Sequence, residues 1–213
     1  GEKGELPVLD GEDATTRPGL PFPFDGHQPR GLIIVGWRRG DPWQDTPEHI
    51  VIEGFELRNA SPEHQFTDKD KKRGAYAENA AGIFVQRGRH VTLRGNVVHN
   101  NGNGLFVGGG GAEELTSDVL IEGNHVHQNG SSDSYLQHNV YNEAARVTYQ
   151  FNLFGPPRSG PQGTLGGNVK ERSAGVVFRY NWVEDGAHLL DLVDAQEARD
   201  PNLKDESFRH SWV

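Results

Sequence analysis

Apolar and polar residues alternate along most of this chain in short runs, and the runs are separated by turns rich in Gly and Asn. Such runs favour β-strands, in which every second side chain faces the same side. No stretch keeps its apolar residues at the 3.6-residue spacing of an amphipathic helix for long enough to form one. The pattern therefore predicts an all-β protein built from many short strands.

The runs also repeat at a nearly fixed period, because four copies begin 28, 28 and 29 residues apart. The copies read VTLRGNVVHNNG from Val91, VLIEGNHVHQNG from Val119, VTYQFNLFG from Val147 and VVFRYNWVEDG from Val176. The sixth residue of each copy is an asparagine: Asn96, Asn124, Asn152 and Asn181. An earlier copy that begins at Ile50 has Phe55 in that place.

A fixed period with a recurring turn asparagine predicts a right-handed, single-stranded parallel β-helix. Each coil of such a solenoid stacks on the previous one at about 4.8 Å, so that equivalent residues form rows. An inward asparagine in each turn can bond its counterparts above and below, which explains its recurrence without any catalytic role. An antiparallel β-sandwich is the main alternative, but it gives no reason for a constant period.

We divide the chain near residue 46, where the repeats begin. Residues 1–45 lack the repeat and are predicted to form an irregular N-terminal segment or a first coil, whereas residues 46–213 hold the β-helix repeats. Residues 60–80 and 129–138 interrupt the period. Insertions in solenoids tend to decorate one face, which is often the binding face. We also expect the chain to be a fragment of a longer β-helix.

The charge of the chain restricts its partners. Of 213 residues, 21 are Lys or Arg and 30 are Asp or Glu, which gives a net charge of −9. This balance argues against a nucleic-acid partner, because nucleic-acid-binding proteins present a basic face. An anionic polymer would need a local cluster of cations. No apolar run is long enough for membrane insertion, and the pattern specifies no oligomeric state.

A candidate site lies on the short strands that precede two of the repeats. Val85, Tyr141 and Lys170 each stand six residues before a repeat, so we align them as equivalent positions of successive coils. If Val140 and Val169 face the core, strand alternation turns Tyr141 and Lys170 outward as neighbours. The same alternation and the strand ends add further polar side chains. The complete predicted patch consists of His138, Asn139, Tyr141, Glu143, Asn168, Lys170 and Arg172.

Three segments carry a family resemblance: QHNVYNEA, then NVKERSAGVVFRYNWVEDG, then LLDLVDA. They resemble a pattern of bacterial right-handed parallel β-helix repeat proteins, a group similar in fold to polysaccharide lyases of the chondroitinase-B and alginate-lyase type. The resemblance implies a secreted or periplasmic protein that cleaves a uronate-containing polysaccharide, with Ca²⁺ as a candidate cofactor and Lys170 as the base. The lyase arginine usually lies on the following coil, where LLDLVDA has none, so Arg172 takes that role by analogy.

The chemistry of β-elimination suits this set of residues. The enzyme must remove a weakly acidic proton beside a carboxylate, and each fixed cation aimed at the developing charge stabilises it by about 3 kcal/mol. Like-charge repulsion between Arg172 and Lys170 would favour the neutral, basic amine. Tyr141 or His138 would return a proton to the leaving oxygen. The predicted substrate-binding residues are Asn139, Glu143, Asn168 and Asp191. Carboxylates offered to Ca²⁺ or to sugar hydroxyls are Glu143, Glu171, Asp191 and Asp194, although no metal-ligand set is assigned. Glu171 should point away from the two cations.

Each of these residues also has a structural interpretation. Lys170 and Arg172 can form a solvated strand end, Tyr141 can belong to an aromatic row, and His99 and His127 can stack as equivalent turn residues. A glycoside hydrolase is a weaker alternative, because it needs carboxylates that face one another across the sugar bond. A non-catalytic carbohydrate-binding or structural β-helix is the other alternative. Its candidate sugar-stacking residues are Trp37, Trp43, Phe106 and Trp182.

Overall fold

The chain winds repeatedly through three parallel sheets, which we call A, B and C, in that order. The structure is a computed structural model. It describes residues 4–19, 28–36, 42, 45–109, 116–161, 163–164, 166–193 and 213. Every strand pair within sheets A, B and C of this part of the chain is parallel, with each strand paired to its counterparts on the neighbouring coils.

The strands of each sheet come in the order in which the coils stack. Sheet A contains β1 (Val8–Asp10), β5 (Glu56–Arg58), β10 (Val97–His99), β13 (His125–His127), β16 (Leu153–Phe154) and β21 (Trp182–Val183). Sheet B contains β3 (Gly31–Val35), β8 (Ala81–Val85), β11 (Asn103–Val107), β14 (Val140–Asn142), β19 (Val169–Glu171) and β22 (Leu190–Leu192). Sheet C contains β4 (Glu48–Glu53), β9 (Arg89–Arg94), β12 (Ser117–Glu122), β15 (Ala145–Gln150) and β20 (Val177–Arg179).

The register confirms the predicted parallel β-helix. Val91 pairs with Ile50 on one side and with Val119 on the other, and Val119 pairs with Val147. The first residues of successive repeats are therefore direct neighbours, which a sandwich would not produce. Strands β1 and β3, which precede residue 46, pair within the same sheets as the repeats.

Smaller elements decorate the coils. Strands β2 (Ala14–Thr15), β6 (Gln65–Thr67) and β7 (Arg73–Ala75) form a separate small sheet, and β17 (Ser159–Gly160) pairs antiparallel with β18 (Gly163–Thr164). One 3₁₀ turn spans Gln28–Arg30. Among the described residues, no helix has the length and apolar character needed to cross a membrane.

Buried aliphatic rows fill the interior. The row of Val91, Val119 and Val147 on sheet C, continued by Val176 just before β20, is almost entirely excluded from solvent, as are Ile83, Leu105, Val140 and Val169 on sheet B. Such side chains supply most of the stability, because each fully buried one contributes about 2 kcal/mol. The alternation of inward and outward residues that the sequence predicted is thus the basis of the core.

A row of turn asparagines connects the coils, and we call it the first ladder. It consists of Asn96, Asn124, Asn152 and Asn181. Each amide nitrogen donates to the amide oxygen of the next member, at 3.1, 3.0 and 2.8 Å. At the other end, the backbone N–H of Phe55 donates to Asn96 Oδ1 at 3.1 Å. The structural role predicted for these residues is confirmed.

Histidines form rows in the same way. The rings of His99 and His127 are parallel, with centroids 5.0 Å apart and planes 8° from each other. His49 and His90 stack at 4.8 Å. The predicted stacking of His99 and His127 is confirmed, but the two residues end strands β10 and β13 and do not lie in turns.

Candidate functional site

The outward residues of sheet B form one row, which we call the outer row. Its members are Ile34, Phe84, Phe106, Tyr141, Lys170 and Asp191. Tyr141 lies directly opposite Lys170, so the prediction that they are neighbours on adjacent coils is confirmed. The alignment of Tyr141 with Val85 is wrong by one residue, because Val85 faces the core and Phe84 holds the outward position.

Aromatic rings occupy the first part of the outer row. Phe84 and Phe106 stack with centroids 4.8 Å apart, and Phe106 stacks on Tyr141 at 5.0 Å. The guanidinium of Arg30 lies over Phe84, 5.5 Å from the ring centroid. Such stacking holds the ring of Tyr141, the residue paired with Lys170 on the next coil, in place.

The charged part of the outer row is an ion pair. Lys170 Nζ lies 2.8 Å from Asp191 Oδ2, and the two side chains are 24% and 31% exposed. The hydrogen bond from Lys170 lowers the pKa of Asp191, and burial opposes that effect. Asp191, which itself was predicted to bind substrate, therefore engages the amine on which base catalysis would depend.

The Tyr141 hydroxyl has two polar neighbours. Arg172 Nη1 lies 3.4 Å from it, and Glu143 also forms a hydrogen bond with it. Glu143 additionally accepts from the N–H of Gly109 at 3.4 Å. Burial is the main cause that raises the pKa of Tyr141 to about 12, and Glu143 adds to the shift. The phenol therefore keeps its proton at neutral pH.

His138 lies beneath this patch rather than on it. Its side chain is 5% exposed, its Nδ1 lies 3.2 Å from the carbonyl oxygen of Gly167, and its ring stacks on Tyr141 at 5.9 Å. Burial lowers the pKa of His138 to about 4, so the imidazole is neutral at neutral pH. The outward position predicted for His138 is wrong, and a neutral imidazole that donates from Nδ1 has no second proton to give.

Asn139 and Asn168 are also misplaced by the sequence prediction, because both are fully buried. Asn139 Nδ2 donates to Asn168 Oδ1 at 2.9 Å and to the Gly155 carbonyl at 2.8 Å. Together with Asn101 and Asn129 they form a second ladder. Asn139 and Asn168 each lie in a turn, one residue before strands β14 and β19, and the alternation of inward and outward residues within a strand does not apply there. Their side-chain amides are hydrogen-bonded inside the coil and cannot reach a substrate on the surface.

Glu171 points into the core, away from Lys170 and Arg172, as predicted. It is 1% exposed and accepts hydrogen bonds from Tyr149 Oη at 2.5 Å, from Asn142 Nδ2 at 2.9 Å and from the N–H of Ser173 at 2.6 Å. Burial raises the pKa of Glu171, and these donors partly offset the rise. An interior position rules Glu171 out as a surface ligand for calcium or sugar.

The described part of the chain contains no arrangement of side chains suited to bind calcium. No group of three or more His, Asp or Glu side chains there is arranged to hold a metal ion. Glu143 and Asp191 are engaged with Tyr141 and Lys170 instead. Asp194 lies outside the described residues, as do Trp37 and Trp43. The described carboxylates of the predicted set, Glu143, Glu171 and Asp191, therefore do not form a site for the cation that the lyase resemblance implies.

The sequence prediction did not include two features of this region, the second asparagine ladder and the aromatic part of the outer row, although the sequence contains a pattern for each. Asn101 and Asn129 stand at the eleventh place of two repeats, 28 residues apart, which is the spacing of a second ladder. Phe84 and Phe106 immediately precede Val85 and Val107. A shift of one residue in the alignment would therefore have predicted the aromatic row.

Comparison with known proteins agrees with this architecture. The sequence model of a family described as "Right handed beta helix region" matches residues 71–199, more than half of the chain. No curated protein and no solved structure matches the chain. The matched region contains the outer row from Phe84 to Asp191, and the chain belongs to the right-handed β-helix family.

Proposed function

We propose that this β-helix protein is a secreted or periplasmic lyase that cleaves an acidic, uronate-containing polysaccharide by β-elimination at the outer row. The observation that carries the proposal is the direct pairing of Tyr141 with Lys170, with the guanidinium of Arg172 at the Tyr141 hydroxyl. A phenol and two cations thus share one small surface on rigid strands.

The cations provide a reason for binding in a chain that is acidic overall. With a net charge of −9, the protein as a whole repels an anionic polymer, so local attraction must come from a group such as Lys170 and Arg172. Arginine suits this task, because its planar guanidinium can bind a carboxylate through two parallel hydrogen bonds. We assign to Arg172 the uronate carboxylate and the negative charge that develops on it.

The remaining steps fall to Lys170 and Tyr141. As base, the neutral amine of Lys170 takes the proton beside the carboxylate. The electron pair of that C–H bond then forms the new carbon–carbon double bond, while the glycosidic C–O bond breaks. Tyr141, whose pKa of about 12 keeps it protonated, donates to the leaving oxygen.

This assignment requires the Lys170–Asp191 ion pair to open when substrate binds. Both side chains retain partial exposure, so a sugar carboxylate can compete for the ammonium. Ion pairs this close to the surface contribute about 1 kcal/mol or less. Replacing the Asp191 carboxylate by a sugar carboxylate at Lys170 therefore requires little free energy. Lys170 must also release a proton to solvent before it can act as the base.

The experiment is a screen of polyuronates and glycosaminoglycans by ultraviolet absorbance, with Ca²⁺ and separately with a chelator. A lyase creates an unsaturated uronate that absorbs, whereas a hydrolase produces reducing ends without absorbance. Lys170→Ala and Tyr141→Phe should each lower the rate by about a hundredfold or more. Arg179→Ala, which removes an exposed arginine on sheet C bonded to Gln150, is the matched control and should leave the rate unchanged.

Asp191→Asn separates the role of the ion pair from that of the base. It keeps the shape of the side chain but removes the charge that holds Lys170, so a lyase should keep or increase its rate. Undiminished activity in Lys170→Ala would show that another group is the base. Absence of absorbance with every polymer would contradict lyase activity.

The ion pair favours a second candidate function, non-catalytic binding of an acidic polysaccharide. An amine that is already engaged by Asp191 at 2.8 Å is better placed for recognition of a polymer than for proton abstraction. Trp182, 67% exposed on sheet A, offers an additional sugar-stacking surface. Retention of the protein on an immobilised polyuronate without any absorbance change would support this candidate over the lyase.

A further inference from the structure

Glycine follows an aspartate or an asparagine at six places in the chain, and such dipeptides are chemically labile. The peptide nitrogen of the glycine can attack the side-chain carbonyl carbon of the preceding residue, because glycine has no side chain to hinder the approach. The product is a five-membered succinimide ring, which water opens to aspartate or to isoaspartate. The six dipeptides are Asp10–Gly11, Asp25–Gly26, Asn101–Gly102, Asn103–Gly104, Asn129–Gly130 and Asp185–Gly186.

Hydrogen bonds between coils protect the three Asn–Gly dipeptides, which would react fastest in an unfolded chain because an amide is a better electrophile than a carboxylate. Their asparagine side chains are at most 1% exposed, and each is hydrogen-bonded inside the coil. The N–H of the following glycine donates to a backbone carbonyl of a neighbouring coil. These bonds run from Gly102 to Ala60 at 2.8 Å, from Gly104 to His138 at 3.1 Å and from Gly130 to Asn101 at 3.0 Å. The attacking nitrogen is therefore directed away from the amide.

The Asp10–Gly11 dipeptide is protected in the same way. The carboxylate of Asp10 accepts from Arg58 Nε at 2.9 Å and from Asn59 Nδ2 at 2.8 Å. Gly11 is buried, and its N–H donates to the Arg58 carbonyl at 2.8 Å. Both the carboxyl group and the nitrogen would have to give up these bonds before a ring could close.

Asp185–Gly186 differs from these four dipeptides. It lies in the irregular segment between β21 and β22, where Asp185 is exposed and both residues have a positive φ, 58° and 113°. The N–H of Gly186 donates to Oδ1 of Asp185 itself, at 2.7 Å. The nitrogen thus lies beside the carboxyl group whose carbon it would attack. Of the described dipeptides of this kind, this one directs its glycine N–H at its own side chain.

We propose that Asp185–Gly186 is a site of spontaneous aspartate isomerisation in the folded protein. The Gly186 nitrogen forms a bond to Cγ of Asp185, the bond from Cγ to the hydroxyl of the protonated carboxyl group breaks, and the nitrogen's proton leaves with that hydroxyl as water. Water then adds to the backbone carbonyl carbon of Asp185, whose bond to the nitrogen breaks. The chain now runs through Cβ and Cγ, and water is the only co-reactant.

The modification would disturb the second ladder. Asn168 Nδ2 donates to the backbone carbonyls of Glu184 and Asp185 at 2.9 and 3.4 Å, and the added methylene in the main chain displaces these acceptors. The isomerised chain should therefore show a midpoint of thermal unfolding about 2–4 °C lower, the shift that the loss of one hydrogen bond produces in a chain of this size. The site lies outside the outer row and does not depend on lyase activity.

The test is prolonged incubation of the native protein at physiological temperature and mildly acidic pH. Isoaspartate is then measured by enzymatic methylation with an isoaspartyl methyltransferase and located by peptide mapping. It should be at least about tenfold more abundant at Asp185 than at the four protected dipeptides, because tenfold corresponds to about 1.4 kcal/mol and each of those must first break a hydrogen bond. In urea this order should reverse, with the Asn–Gly dipeptides reacting fastest.

Two variants complete the test. Asp185→Glu should abolish isomerisation at that position, because glutamate would have to close a six-membered ring. Asp133→Glu, which changes another exposed aspartate, should leave it intact. Equal isoaspartate at Asp185 and at the protected dipeptides of the native protein would overturn the proposal. So would its absence at Asp185 in the native protein when the chain in urea forms it there. Asp25–Gly26 lies outside the described residues, and the peptide map separates its product.

Discussion

Replacement of Asn124 by alanine should be one of the more damaging single changes in this fold. The side chain is 1% exposed, and its Oδ1 accepts from the N–H and Nδ2 of Asn96 at 3.0 and 3.1 Å. Its Nδ2 donates to the Leu93 carbonyl at 2.8 Å and to Asn152 Oδ1 at 3.0 Å. Asn96 Nδ2 keeps a bond to Ile52, but the Asn96 N–H loses its partner. One buried N–H without an acceptor and three lost hydrogen bonds amount to about 4 kcal/mol.

The assay is urea unfolding followed by circular dichroism, and the control is Asn181→Ala. Asn181 is the last member of the first ladder and is partly exposed, so water can replace part of what it offers to Asn152. Its loss should cost about 1 kcal/mol. Equal costs for the two variants, or a cost of Asn124→Ala near 1 kcal/mol, would refute the view that the ladder stabilises the coils through buried hydrogen bonds.

Three further results are expected. Because burial lowers the pKa of His138 from 6.5 to about 4, its neutral form stabilises the fold fully above pH 6.5, and this contribution, at most about 3 kcal/mol, is lost as the pH falls toward 4. His138→Gln should therefore reduce the slope of unfolding free energy against pH in that window. Tyr149→Phe removes the hydroxyl that donates to Glu171 and should lower stability by about 2 kcal/mol in urea unfolding; an unchanged midpoint would contradict this role. Gly104→Ala would drive its Cβ against a backbone carbonyl of the next coil, whereas Gly123→Ala meets open space. Thermal unfolding should show the first variant losing about 3 kcal/mol and the second about 1 kcal/mol, the latter from its positive φ.

The fold could be predicted from the sequence because the residues that define it recur at a fixed spacing. Asn96, Asn124 and Asn152 recur at a fixed distance, and a fixed distance in sequence becomes a neighbour relation once parallel coils stack. The same logic placed Tyr141 beside Lys170 correctly. Periodicity therefore specifies which coils and which strands meet.

The site was less predictable because it depends on local orientation. Asn139 and Asn168 were assigned to the surface by extending strand alternation one residue into a turn, where the backbone changes direction and the amides enter the second ladder. The Lys170–Asp191 pair requires side-chain conformations across coils, which spacing alone does not provide. Residues of the two insertions, among them Ser61 and Gln137, line one cleft, and no sequence pattern could relate them because the insertions share no period.

In-register stacking of the coils also determines which substitutions should influence one another. The outer polar side chains of sheet C pair across coils: Arg94 with Glu53, 41 residues apart, Arg146 with Asp118, 28 apart, and Arg179 with the amide of Gln150, 29 apart. A map of epistasis between double substitutions should therefore show bands parallel to its diagonal at these offsets. Because a residue is paired with its counterpart a full coil away, we expect compensating changes to appear at that counterpart before they appear at the adjacent positions of the chain.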